Sequence, residues 1–148
     1  MSSSINSLEQ ILTNAASGLS AQNIRLNTIA SNLANAGSVG SSESATYHTK
    51  YPVFSEITQS VSGLDKGNQP IGGVKVDSIK QSEKPLQKRY EPDNPLADQD
   101  GFIYMTDVNP VAQMTDMISA SKEYQANIEL MNTTKGLITQ TLTVINSK

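Results

Sequence analysis

The sequence predicts a mainly α chain with a small β-rich insertion: long N- and C-terminal helices pairing as a coiled coil, with a central loop and short antiparallel strands between them. Two observations point there. Apolar residues recur on an alternating 3,4 spacing at both ends of the 148 residues, while turn residues and short alternating stretches fill the middle. Charge divides the same way: residues 1–36 hold only Glu9 and Arg25, residues 110–148 hold six charged side chains, and residues 37–109 hold seventeen. The expected parts are a helix over 1–36, an insertion over 37–109 and a helix over 110–148.

In the first part the spacing runs Ile5, Leu8, Leu12, Ala15, Leu19, Leu26, Ile29 and Leu33, interrupted only by Gln22. This is a heptad-like stripe of about four repeats. Asn35-Ala36-Gly37 offers a stop, with Gly37 free to turn left-handed. In the last part Asn109 can cap the helix and Pro110 can occupy its first turn. The stripe then runs Met114, Met117, Ser121, Tyr124, Ile128, Met131, Lys135, Ile138, Leu142 and Ile145, weakest at Ser121 and Lys135.

The remaining helical surface is unusual. Residues 1–36 contain seventeen Ser, Thr, Asn or Gln, where a solvated helix would use Glu and Lys pairs. These are mediocre helix formers, so the helix is weak alone. An uncharged polar face is also easier to bury against neighbours than a charged one. A helical hairpin with a merely polar outside has the same pattern.

In the middle, residues 37–46 (GSVGSSESAT) read as a flexible low-complexity segment. Tyr51–Thr58 and Gly73–Lys80 have strand character, Lys84–Tyr90 less so, and Phe102–Thr106 follows two turn signals. With two Phe and five Tyr in the chain, this region leans on the helices for its core.

Composition narrows function. A net charge of −3 without a Lys/Arg run offers no footprint for nucleic acid or an anionic membrane. No cysteine means no disulfide and no thiolate chemistry. The start, MSSSINSLEQIL, lacks the basic and apolar regions of a cleaved secretory signal, and no apolar run approaches a membrane span. His48, the only histidine, stands in a polar loop, and no nucleophile constellation points to it. The acids Glu91, Asp93, Asp98, Asp100 and Asp107 fail as a calcium loop: aligned on Gly101, an acid is needed where Leu96 stands and a Glu where Asp107 stands. The glycines of 67–73 have neither the Gly-Lys-Ser/Thr nor the following helix of a phosphate loop. Met105, Met114, Met117 and Met131 read as packing residues. No catalytic, metal or cofactor site is expected, and no cofactor.

Two stretches carry a resemblance. Ser17-Gly18-Leu19-Ser20-Ala21-Gln22, continued by Ala30-Ser31-Asn32-Leu33-Ala34-Asn35, resembles the N-terminal motif of the bacterial flagellar rod/hook axial protein family. Many members continue with Thr-x-Gly-Tyr; here Gly37-Ser38-Val39-Gly40 follows, and Tyr47 comes only after the Ser-rich loop. That departure fits the short proximal-rod type and not the hook or distal rod. Residues 89–138 resemble the family's C-terminal half through Tyr90-Glu91-Pro92, Asn94-Pro95, Asp100-Gly101, Val108-Asn109, Tyr124-Gln125-Ala126-Asn127 and Lys135.

The resemblance implies a non-enzymatic structural subunit of the proximal rod. It implies export by the flagellar type III apparatus, then helical polymerisation into the shaft that crosses the periplasm, transmits torque and contains the export channel. Implied partners are other copies of the chain, other rod proteins, and adjacent basal-body and export-gate components, without nucleic acid or direct membrane insertion. Laid on the stripes, the expected subunit interface is Leu8, Leu12, Leu19, Leu26, Ile29, Leu33, Met114, Met117, Tyr124, Ile128, Met131, Ile138, Leu142 and Ile145. The alternative is a cytoplasmic helical export chaperone or adaptor, for which a stable closed dimer and more surface charge are expected.

Overall fold

A computed structural model describes residues 2–59 and 69–146 of the chain. It contains two long helices, α1 (Ser2–Ala34) and α2 (Pro110–Asn146), and five strands: β1 (Val39–Gly40), β2 (Lys50–Gln59), β3 (Gln69–Gln81), β4 (Gln87–Tyr90) and β5 (Phe102–Met105). The mainly α class with short antiparallel strands is thus present. β4 and β1 flank β5 in one antiparallel sheet, and β2 pairs with β3 in another.

Local chemistry sets the helix ends. The Asn109 side-chain oxygen accepts the N–H groups of Val111 and Ala112 at 3.0 and 3.2 Å, as expected of a cap before Pro110. At the end of α1 the Asn35 N–H is shared between the Ser31 and Asn32 carbonyls, a tightened last turn. Gly37 does not take the left-handed conformation expected of it; among the described residues the left-handed glycines are Gly72, Gly73 and Gly101. The Asn35 amide on the Ser31 carbonyl (2.8 Å) and the Ser38 hydroxyl on the Asn35 carbonyl (2.8 Å) satisfy the end instead.

The chain falls into two compact units, each assembled from separate segments. One comprises residues 25–53 and 78–119. Its core is Ile29, Leu86, Ile103 and Val108, with Ile103 completely buried on the central strand β5. Gly101, at φ +80°, makes the turn into β5; there a Cβ would stand 2.9 Å from the Tyr90 ring. Tyr90 and Phe102 pair edge to face across the strands, centroids 5.3 Å apart.

In this unit residues 37–46 depart from the flexible segment expected. Val39 and Gly40 pair with Met105 and Tyr104, and Glu43–Ala45 form a 3₁₀ turn capped by the Ser42 hydroxyl. The Thr46 hydroxyl donates to the Ser42 carbonyl at 2.7 Å and its side chain is buried. Small hydroxyl residues are flexible alone. Here a strand pairing distant in sequence and their own backbone bonds hold them.

The other unit comprises residues 1–24, 54–77 and 120–148. Gly72 and Gly73, at φ +81° and +96°, let the start of β3 lie against α1: a Cβ at Gly73 would meet the Ser17 hydroxyl at 2.9 Å. That hydroxyl accepts the Val74 N–H at 3.1 Å. α1 and α2 meet through Gly18 against the Asn127 amide, and the Gln22 amide donates to Glu123. The fully buried apolar residues described here are Ala15, Ala21 and Ala120; none is large.

Candidate assembly surface

Polar residues organise the interior of the unit formed by residues 25–53 and 78–119. Asn32 is only 1% exposed. Its amide donates to the Lys50 carbonyl and to Gln113 Oε1, both at 2.8 Å. Its oxygen accepts the Lys50 N–H and the Tyr47 hydroxyl, both at 2.9 Å. All four hydrogen-bonding positions of the side chain are filled, which is what makes a buried amide tolerable. Asp107 makes a second tie. Burial pushes its carboxyl up, but hydrogen bonds from the Ser82 hydroxyl and from the Thr49 N–H and hydroxyl (2.7 and 2.9 Å) outweigh this and hold it below the usual carboxylate range.

Burial along α2 picks a line that the apolar pattern did not. Gln113, Ala120 and Thr134 are buried and Asn127 half-buried, seven residues apart; Met117, Tyr124, Met131 and Ile138 are half-buried between them. The second set was expected on the seam. The first set, continued by half-buried Thr141, takes the place of Met114, Ile128, Lys135 and Leu142, one residue further on, while Ser121 stays half-buried. Close packing explains the choice: Gly18 opposite Asn127 leaves room for an amide and little more, and Gln113 is held by Asn32. On α1, Ile29 is buried and Leu8, Leu12, Leu19, Leu26 and Leu33 are half-buried. The side chain of Ile145 lies outside the described residues. A buried seven-residue repeat of small and amide residues was readable beside the apolar stripe, but its polarity argued for the outside.

The displaced apolar side chains are therefore exposed. In the unit containing the C-terminal part of α2 these are Ile128, Leu130, Leu137, Leu142 and Val144, which flank the inward line on both sides. In the other unit Val111, Met114 and Ile118 follow one another along the helix at 73%, 58% and 59% exposure. Scattered exposed apolar residues are ordinary; contiguous rows mark contact surfaces.

Comparison with known proteins gives the family. The family described as "Flagella basal body rod protein" matches residues 12–40, and "Flagellar basal body rod FlgEFG protein C-terminal" matches residues 99–144. The flagellar basal-body rod protein FlgC of Salmonella typhimurium strain LT2 is 45% identical over 131 residues, 88% of this chain and 92% of its own. FlgC of Yersinia enterocolitica is 43% identical over 138 residues, 93% of this chain and 98% of its own. The chain belongs to the FlgC family of flagellar basal-body rod proteins. It is a structural component of the basal-body rod, and the family is not one of enzymes. The export-chaperone alternative receives no support from these relatives.

Membership in the FlgC family accounts for side chains that would invite chemistry elsewhere. His48 is half-buried at the surface, in the loop where its polar neighbours suggest. Its Nε2 faces the Glu43 carbonyl at 3.3 Å. The acidic turn is engaged locally: Glu91 pairs with Arg89 at 2.8 Å, and Asp98 Oδ1 accepts the N–H groups of Asp100 and Phe102 at 3.0 and 2.8 Å. Lys88 stands over the Tyr104 ring at 4.9 Å; its hydrogen bond with Tyr104 raises the ammonium pKa. Among the described residues no three His, Cys, Asp or Glu side chains are placed to hold a metal, and no helix is long and apolar enough to cross a membrane.

Proposed function

We propose that this FlgC-family chain polymerises helically through its terminal helices, α1 and α2 forming the inner, channel-lining part of a torque-transmitting rod and residues 37–109 an insertion facing outward. The observation that carries this is an imbalance within one unit. Its described buried apolar residues are alanines, while Ile11, Phe54, Ile128, Leu130, Leu137, Leu142 and Val144 are exposed. A unit so arranged gains little from folding alone and much from neighbours that cover those side chains. The helices then pair as coiled coils within or between copies, with the stripe residues at the subunit interface.

The uncharged polar faces suit the same role. Thr13, Thr115, Thr139, Thr141 and Thr143 each donate their hydroxyl to the carbonyl four residues earlier on their own helix, at 2.6–3.0 Å. Hydroxyls satisfied in this way can be buried without needing a donor or acceptor from the neighbour. A contact between different patches on successive copies, with a rotation that does not close a ring, propagates helically along an axis. Other rod proteins continue the same packing, and basal-body and export-gate components adjoin its end; the chain reaches the rod as an unfolded type III export substrate.

Leu26→Asp and Ile128→Asp test this reading. Each places a charge in the proposed subunit interface, at a cost to assembly of several kcal/mol. Immunoblots should find both variants exported, and motility and electron microscopy should find no rod. Glu56→Lys and Lys75→Glu, on exposed positions of β2 and β3, should leave motility nearly intact. Normal swimming with Ile128→Asp would refute the assembly mechanism.

A further inference from the structure

A cleft lies beside the Asp107 tie in the unit formed by residues 25–53 and 78–119. It encloses about 580 Å³ between His48, Tyr51, Lys80, Gln81, Ser82 and Glu83. A second hollow of about 370 Å³ shares His48 and Gln81 and adds Lys50. The Ser82 N–H donates to the Thr49 carbonyl at 2.8 Å, a register that sets Lys80 opposite Tyr51 across β2 and β3. Tyr51 is 46% exposed, and among the described residues Lys80 has no ion-pair partner. The cleft thus presents the Lys80 ammonium and the Tyr51 ring beside the carboxylate of Glu83, while the Lys50 ammonium lies over the Tyr47 ring in the second hollow.

The same unit carries the complement. Residues 91–98 form a rigid acidic turn: Pro92 and Pro95 fix two φ angles, and the Asn94 N–H bonds the Glu91 carbonyl at 3.1 Å. Asn94 Oδ1 accepts the Leu96 N–H at 3.0 Å, and the Ala97 N–H bonds the Asn94 carbonyl at 2.9 Å. Arg89 engages Glu91 and backbone N–H groups engage Asp98, which leaves Asp93 exposed, beside Leu96 at 46% exposure. A turn already ordered loses little entropy on docking.

We propose that the Asp93–Leu96 turn of one copy seats in the Tyr51–Lys80 cleft of the next, with Asp93 on the Lys80 ammonium and Leu96 on the Tyr51 ring. This rests on the reading that copies of the chain pack against one another. Asp93 meets an opposite charge in Lys80 and Leu96 an apolar face in Tyr51, and because the two patches differ the contact runs head to tail from copy to copy.

The chain has no cysteine, which makes the test clean. Two differently tagged full-length chains, one Lys80→Cys and the other Asp93→Cys, are co-expressed in cells lacking the native copy, and basal bodies are isolated. The expected result is a mixed disulfide dimer, absent when either cysteine is present alone. Separately, Lys80→Glu or Asp93→Lys should reduce rod-bearing cells by at least about tenfold, and both changes in one chain should restore them. An amine-reactive cross-linker reports on packing of the tagged chains independently. Amine links without the mixed disulfide, or a disulfide between the Lys80→Cys chain and a different rod protein, overturn this contact alone. Failure of the double reversal to restore rods does the same. No links of either kind overturn the assembly reading beneath it.

Discussion

Replacing Asn32 by alanine removes one side chain and strands four groups. The Lys50 carbonyl and N–H, Gln113 Oε1 and the Tyr47 hydroxyl all lose a partner 2.8–2.9 Å away, in a site where Asn32 itself is 1% exposed. Each buried group left unpaired costs about 1–3 kcal/mol. Tyr47 keeps a hydrogen bond with Ser31 at 3.1 Å, and Gln113 can swing towards water, so about 3–5 kcal/mol in total is expected. With a urea slope of about 1–3 kcal/mol/M, the midpoint of the purified full chain should fall by about 2 M. Hydrogen exchange should rise first in peptides covering 46–53 and 110–117. Asn35→Ala is the control, since it gives up one bond at a helix end and should cost about 1 kcal/mol. A midpoint shift for Asn32→Ala no larger than that of the control would refute the account of a four-bond polar hub.

Two further outcomes follow from the same physics. Because the folded-state pKa of Asp107 is depressed, its contribution is fully present above the unfolded value of about 3.9 and is lost as pH falls through the lower folded value; acid titration of urea midpoints should show a drop below about pH 4 that shrinks in Asp107→Asn. Circular dichroism of the dilute chain should report much less helix than the 33 and 37 residues of α1 and α2, because the unit that holds their outer ends has only alanines fully buried and neither helix has an acidic first or a basic last turn; full helix content in a monomer would count against assembly-coupled ordering.

The features legible in the sequence are those fixed within one or two turns of chain. The 3,4 spacing marked both helices, and Asn109-Pro110 marked the start of α2, because capping and periodicity are local. β2, β3 and β5 were readable from alternation and the turns beside them. The order of residues 37–46 was not, because it depends on pairing with β5 some sixty residues away and on burial of Thr46. Nor was the inward line of α2. Apolar residues lie nearly all round that helix, so periodicity offered two adjacent lines, and the contact with Gly18 and Asn32 selected the more polar one.

That selection has a consequence for the proposed assembly. In the unit of residues 1–24, 54–77 and 120–148 the described buried apolar residues are alanines, and the polar contacts of Ser17 with Val74 and of Gln22 with Glu123 are directional, so they specify one arrangement and add little net stability. The apolar area that would stabilise an ordinary helical hairpin stands instead on the flanks of α2, at Ile128, Leu130, Leu137, Leu142 and Val144. Under this reading a single chain carries the geometry of its fold while most of the driving force becomes available on contact with neighbours. Leu137→Ala should accordingly leave the urea midpoint of the isolated chain almost unchanged, yet lower the temperature at which purified basal bodies lose this subunit. A variant that destabilised the monomer as much as the rod would place Leu137 inside the chain's own core and reverse the argument.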